Sequence, residues 1–432
     1  MMNKKELLCI VLCKGAFFMD FSLLLPILVT AVGFYLLIKL RYFFLIHPIR
    51  TIRELLGGLK KRDDRRSFFL ALAGTLGVGN IFGVSAGIMI GGAGSLFWLL
   101  LSTLFAMIIK YAETLLVFDA DIDRGGTSAL LSSVFSKWGK RLSPAYALLM
   151  LLLALFMGSA MQSAALIDVA ENSLGITPLI TGFILFIMLI PCLVGGAKKI
   201  ESITEIIIPL TTIIYIIMCF CVIFSNLSRI GEVIKTIFTS AFNFRSAVGG
   251  GISFLAVREG FARGILSNEA GVGTSAMAHS RSKGRTPHLA GLFAMCEVFF
   301  DSTLLCMLTG ISILISIEDI SSFSSPMALV GAAFYSVLGN ASSVLLPIVI
   351  LSFAYATIIC WYYYGRECAT IYFPTLKAIY PTLFIAFMLM SRHIRSDFLL
   401  YVIDILLLFM SFMTLSAIVK KSPRISEISS SL

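Results

Sequence analysis

Residues 68–90 read FFLALAGTLGVGNIFGVSAGIMI, and the centre of that stretch, GTLGVGN, decides what kind of fold the chain makes. The segment is apolar and long enough to cross a bilayer, which takes about 20 helical residues. Gly74, Gly77 and Gly79 are followed directly by Asn80. Such a run is poor continuous helix, because glycine gives up the most backbone freedom on ordering. Inside a bilayer, unwound backbone persists only where protein buries it or where it lines a cavity. Secondary transporters build substrate and ion sites from helices broken in this way. A close-packing glycine face between two helices is the alternative reading of the same residues.

The rest of the chain supports a polytopic, all-α membrane protein. Of 432 residues, 58% are hydrophobic and 13% charged, and the mean hydropathy is +0.95. A soluble domain carries about a quarter charged residues. Nine cysteines lie scattered without a CxxC pair, mostly in apolar runs, and read as small packing residues. The first apolar stretch has no small-residue cleavage site before its charged flank, so no cleavable leader is expected. Apolar runs fall near 18–46, 68–90, 95–118, 143–173, 178–196, 203–224, 247–265, 288–316, 342–366, 371–391 and 398–419, eleven candidate transmembrane spans.

Basic residues give the orientation. Residues 47–67 hold Arg50, Arg53, Lys60, Lys61, Arg62, Arg65 and Arg66 and should be cytoplasmic. Later loops on the same side carry Arg124, Lys137, Lys140 and Arg141, then Lys198 and Lys199, then Arg258, Arg263, Arg281, Lys283 and Arg285. Opposite loops are poor in Lys and Arg. The N-terminus is then outside and the C-terminus cytoplasmic, and the net charge of +10 needs no nucleic-acid partner. Setting the first span aside, ten remain. The expected organisation is an extra N-terminal helix and basic loop (1–67), a first five-helix half (68–224), a second five-helix half (247–419) and a cytoplasmic tail (420–432). An odd number of spans per half makes the second half inverted. Its opening helix carries Gly249, Gly250 and Gly251, and later Gly260 and Gly264. Glycine-interrupted helices at matching positions of inverted halves point to a binding site.

A small zwitterion needs N–H donors for its carboxylate and oxygen acceptors for its ammonium. Unpaired backbone around Val78–Gly79 suits the first task, because a helix break leaves free N–H groups and a positive dipole end. Carbonyls near Gly249–Gly251 and the amide of Gln162 suit the second. Gln162 lies deep in a span, where an amide must find a partner; an interhelical hydrogen bond would satisfy it equally. Thr357 could give one oxygen to a sodium ion, or bond back to its own helix. Trp361 walls a pocket or fills the core. Glu297 and Asp301, four residues apart in one span, are candidates for proton or ion coupling. Lys110 and Glu113, three apart, are expected to pair. HExxH and P-loop patterns are absent from the sequence, and no enzyme activity is expected.

Several stretches together resemble the alanine or glycine:cation symporter family. These are GTLGVGNIFGV (74–84), GGAGSLFW (91–98), KYAETL (110–115), RGILSNEAGVGTSAMAHS (263–280) and FAYATIICWYYYGRE (353–367). The resemblance implies a LeuT-type five-plus-five inverted-repeat fold, here with one extra N-terminal helix. It implies that Val78 and Gly79 offer N–H groups to the substrate carboxylate, with Gln162, Thr357 and Trp361 in the pocket. It also implies sodium as the coupling ion, held by the carbonyls of Ala73 and Leu76 and the hydroxyl of Thr357, with no organic cofactor. The chain departs from the family pattern where Val78 stands for the usual threonine and Ala356 for a serine that would add a sodium ligand. The function expected is sodium-driven import of alanine or glycine across a bacterial cytoplasmic membrane by alternating access. The alternatives are a proton-coupled carrier using Asp301 or Glu297, and a non-transporting sensor on the same fold.

Overall fold

A computed structural model of the chain describes residues 21–40, 48–242, 251–282 and 284–430. Among these residues there are helices, turns and loops and no strand. An apolar environment cannot hydrogen-bond the backbone, and a helix satisfies every N–H and C=O within its own segment. Seven helices are long and apolar enough to cross a membrane, or eight when the bent pair Arg62–Thr75 and Gly79–Gly91 is taken as one span. The protein is a multi-pass membrane protein of bundled helices.

The glycine-rich centre of the opening stretch is a break. Helix Arg62–Thr75 stops, Leu76 leaves helical geometry (φ −75°, ψ 67°), and the chain resumes as a π-helical turn, Gly79–Gly83, followed by helix Val84–Gly91. The two arms meet at 49°. The close-packing alternative does not hold at Gly79, where an added Cβ would meet nothing within 4 Å.

A second break divides the longest helix. Pro178–Ser225 has 48 residues, a length of roughly 72 Å at 1.5 Å per residue, more than twice the hydrocarbon thickness. Gly196, at φ 58° and ψ −152°, turns the chain inside it. Only glycine takes that conformation without steric cost.

The opening helix of the second half differs from expectation. Gly249 and Gly250 lie outside the described residues, and Gly251 begins the helix Gly251–Asn268, which runs unbroken through Gly260 and Gly264. Those two glycines are packing contacts. A Cβ on Gly260 would come 2.6 Å from Trp98 Cβ, and one on Gly264 would meet the Ser102 side chain and the Leu99 carbonyl, both on helix Ser95–Asp119. The absence of Cβ atoms lets two backbones approach closely. The chain turns instead just after Asn268, where Glu269 (φ 53°), Gly271 (φ 80°) and Gly273 (φ 99°) take left-handed geometry before the short helix Thr274–His279.

Three helices fall in stretches that had read as loops: Gly126–Val134, Ile230–Ala241 and Pro326–Leu338. The last is closed at its start by Ser325, whose side chain accepts from Ala328 N at 3.2 Å. It is tied to the broken helix by Ser85, which donates to the Pro326 carbonyl at 3.0 Å.

Candidate functional site

The break at Leu76–Val78 is flanked by two helices that present the residues expected from the sequence. From helix Gln162–Leu174, the side-chain oxygen of Gln162 accepts from the Val78 N–H at 3.4 Å. From helix Asn340–Tyr372, the Thr357 hydroxyl lies 3.2 Å from the Leu76 carbonyl and 3.0 Å from the Phe353 carbonyl. One turn on, Trp361 Nε1 donates to the Gly74 carbonyl at 3.3 Å. Gln162, Thr357 and Trp361 are all buried. Backbone groups released by the break are thus met by side chains, as buried polar backbone requires. Ala73, also buried, lies in the last turn of helix Arg62–Thr75. The oxygens of Leu76 and Thr357 are hard donors of the kind that suit an alkali cation.

Gly79 adjoins open space while its neighbour Gly77 faces the Gln162 amide, where an added Cβ would lie 3.0 Å from Nε2. Gly158 is a site residue that the sequence did not reveal. A Cβ there would come 2.5 Å from Trp361 Cγ, so glycine is what allows the indole to lie against this helix. Gly158→Ala is expected to destabilise the protein by about 1–3 kcal/mol through overpacking and to displace Trp361. Thermal melting and tryptophan fluorescence of the variant check this; an unchanged melt and spectrum would remove Gly158 from the site.

π-Helical turns occur at the candidate residues: Gly79–Gly83 directly after Val78, Ala154–Met161 directly before Gln162, and Phe299–Cys306 containing Asp301. Such turns insert an extra residue into a helix and are frequent at functional sites. Composition and hydropathy give no signal for them.

The two acidic candidates have different surroundings. Glu297 has a counter-charge: its Oε1 lies 3.0 Å from Lys110 Nζ, and its Oε2 accepts from the Ser275 hydroxyl at 2.5 Å. This corrects the expected pairing of Lys110 with Glu113. Three-residue spacing puts the latter two on neighbouring faces, but tertiary packing brings Glu297 of helix Pro287–Val298 onto the ammonium. His279 Nε2 is 3.6 Å from the same Oε2. Its other ring nitrogen, Nδ1, is 3.0 Å from Arg285 Nη1. Arg285, read as a loop residue, is in fact buried. Its Nε bonds Asp64 Oδ1 at 2.7 Å, and its guanidinium lies 4.2 Å from the Phe293 ring centroid. A chain of buried polar groups therefore runs from Lys110 to the first turn of the broken helix.

Asp301 has neutral partners. Its Oδ1 accepts from the Asn80 amide, and its Oδ2 accepts from the hydroxyls of Ser267 at 2.9 Å and Ser302 at 2.6 Å. Asn80 directly follows the glycine motif, so this carboxylate touches the broken helix. Among the described residues, no group of three or more His, Cys, Asp or Glu side chains is arranged to hold a metal ion.

A multi-pass helical bundle with a helix broken beside buried Gln, Thr and Trp side chains has the architecture of a membrane carrier. The family model described as the sodium:alanine symporter family matches residues 10–430. The chain belongs to that family. It is 31% identical over 363 residues to the sodium/alanine symporter AgcS of Methanococcus maripaludis, covering 79% of each chain. It is 30% identical over 359 residues to the probable sodium/glutamine symporter GlnT of Bacillus subtilis, covering 80% of this chain and 74% of that one. Over 358 residues it is 29% identical to the putative sodium/proton-dependent alanine carrier protein YrbD of the same organism, covering 78% and 73%.

Proposed function

We propose that this protein is a secondary active symporter that imports a small neutral amino acid, alanine or glycine, together with sodium by alternating access. The observation that carries the reading is the convergence of Gln162, Thr357 and Trp361 on the break at Leu76–Val78. The substrate carboxylate takes the N–H groups of Val78 and Gly79, displacing the Gln162 oxygen from Val78. Gln162, and carbonyls of the Gly249–Gly251 region, receive the ammonium. The open space beside Gly79 supports a substrate with a small side chain. Sodium binds the carbonyls of Ala73 and Leu76 with the Thr357 hydroxyl. The names of the relatives AgcS and YrbD support alanine, while that of GlnT supports a larger amide substrate.

The same reading includes eleven spans in a LeuT-type arrangement: an extra helix in 1–67, inverted halves at 68–224 and 247–419, and a cytoplasmic tail at 420–432. The turn at Gly196, which divides the 48-residue helix, supports the count. The basic loops support an external N-terminus in a bacterial cytoplasmic membrane.

Uptake of labelled alanine, glycine and glutamine into proteoliposomes tests the proposal, comparing an inward sodium gradient with an inward proton gradient. Sodium-driven accumulation of alanine or glycine is expected; accumulation of glutamine alone would overturn the substrate assignment. Ala356 is buried next to Thr357. Ala356→Ser is expected to lower the sodium concentration for half-maximal uptake by several-fold, since one added hydroxyl ligand contributes about 1 kcal/mol. An unchanged sodium dependence would count against this location for the ion. Proton-coupled transport is the second reading, favoured by the buried carboxylate of Asp301 and by the name of YrbD, a putative sodium/proton-dependent alanine carrier.

A further inference from the structure

Of the three tryptophans, Trp138 is the one left in the open. Trp361 is buried, and Trp98 packs among Phe97, Phe242 and Phe261. Trp138 is 63% exposed. It lies outside the spans, directly before helix Gly139–Leu153. A membrane–water boundary suits such a side chain, because the indole buries its ring there and keeps its N–H in contact with water. Its neighbours Lys137, Lys140 and Arg141 are all exposed. The Arg141 guanidinium lies 5.8 Å from the Trp138 ring centroid, a distance at which cation and ring attract.

Tertiary packing brings further cations to the same place. Helices Gly139–Leu153 and Ser396–Lys420 pack against each other. At the end of the second, Lys420 Nζ donates to the Val134 carbonyl at 2.9 Å and lies 4.6 Å from the Phe135 ring centroid. That contact sets Lys420 and the adjoining Lys421, both exposed, beside the segment Lys137–Arg141. The charge is one-sided. The sequence has no Asp or Glu between Asp123 and Asp168, or between Asp404 and Glu427. Two other arginines of these segments are neutralised, Arg124 by Glu367 at 2.7 Å and Arg424 by Asp119 at 2.8 Å. Among the described residues, no carboxylate forms an ion pair with Lys137, Lys140, Arg141, Lys420 or Lys421. Further along, the same two helices expose apolar side chains, Leu148 on one and Phe412 and Val419 on the other.

We propose that Lys137, Trp138, Lys140 and Arg141, with Lys420 and Lys421, bind the phosphate headgroup of an anionic phospholipid. Its acyl chains lie along Leu148, Phe412 and Val419. Guanidinium and ammonium groups donate charge-assisted hydrogen bonds to phosphate oxygens, and basic residues beside a span are drawn to anionic lipid. The indole holds the segment at the level of the headgroups. The occupant is a lipid rather than an acidic protein, because the cationic patch continues into the apolar surface of two membrane-spanning helices. The proposal rests on the orientation given above only for placing the lipid in the cytoplasmic leaflet, and it needs neither the substrate nor the coupling ion. The bound lipid joins the tail end of one span to the start of another, Gly139–Leu174, which carries Gln162.

Fluorescence quenching by brominated lipid tests it on the full chain in phosphatidylcholine vesicles. Brominated phosphatidylglycerol is titrated against brominated phosphatidylcholine in wild type, in Trp138→Phe, and in the triple variant Lys137→Gln, Lys140→Gln, Arg141→Gln. Subtracting the Trp138→Phe signal isolates Trp138 from the other two tryptophans. The anionic lipid is expected to quench Trp138 at a roughly ten-fold lower fraction than the zwitterionic one, since each basic residue near anionic lipid contributes about five-fold. The triple variant is expected to lose most of that preference while its melt in detergent stays near wild type, because the three side chains are exposed. Equal quenching by the two lipids in wild type would overturn headgroup recognition. Quenching by neither would take Trp138 out of the bilayer surface and overturn the site as a whole. A full preference in the triple variant would overturn these cations as its source. Salt gives a reading on wild type alone, should the variant fold poorly. The preference is expected to fall as salt screens the exposed charges, and a preference indifferent to salt would overturn the electrostatic site.

Discussion

Lys110→Met is expected to cost about 3–5 kcal/mol, enough to abolish accumulation of folded protein, because it strips the counter-charge from a buried Glu297. The ammonium and the carboxylate are both buried and 3.0 Å apart. Removing one leaves a desolvated charge whose remaining partners are the Ser275 hydroxyl and the His279 ring. The double variant Lys110→Met with Glu297→Gln is expected to recover most of the loss. Replacing both members of a buried pair leaves no orphaned charge and is often near neutral. Membrane yield and melting temperature of the two single variants and the double variant form a cycle that isolates the coupling. Equal stability of Lys110→Met and the double variant would show that the pair contributes no more than its packing.

Thr357→Val should leave the protein folded and remove sodium dependence from uptake. The substitution conserves shape and deletes the hydroxyl that sits 3.2 Å from the Leu76 carbonyl. A hydrogen-bonding oxygen lost from a charged centre costs about 1.5–3 kcal/mol, or roughly ten-fold to a hundred-fold in sodium affinity. Thr357→Ser keeps the oxygen and should retain sodium dependence, with a smaller loss from the missing methyl. Sodium titrations of uptake in the three proteins, with melts as the folding control, read the difference. Retained sodium dependence in Thr357→Val would place the ion elsewhere, whereas loss in Thr357→Ser as well would indicate a steric rather than a ligand role.

The parts of this site that were legible before any coordinates are the ones with strong local causes. Gly74, Gly77 and Gly79 inside an apolar span announce unwound backbone, because glycine weakens helix and a bilayer tolerates free backbone only in a protected place. Gln162, Thr357 and Trp361 could be singled out as polar or amphipathic residues far inside apolar runs, together with a family resemblance that placed them in one pocket. Gly260 and Gly264 misled for the same reason that the first motif informed. Glycine serves close packing as readily as it serves a break, and only the facing Ser102 and Trp98 decide between them. The helix Pro326–Leu338 was lost in a stretch read as loop because thirteen residues are too few to announce a span.

The sequence by itself determined the membrane class, the broken first helix of the core and the identity of the residues able to line a site. These follow from hydropathy, span length and glycine content, which act within a stretch of chain. Tertiary structure alone decided which buried charges meet. Lys110 is 187 positions from Glu297, Asp301 is 221 from Asn80, and Arg285 is 221 from Asp64. Burial makes every ionisable group in the bundle demand a partner, but helix rotation and packing choose it, and neither is written in local periodicity. That is why Glu297 and Asp301, alike in sequence as acids of one apolar span, differ in the fold. One faces a lysine, and the other accepts from an amide N–H and two hydroxyls beside the break.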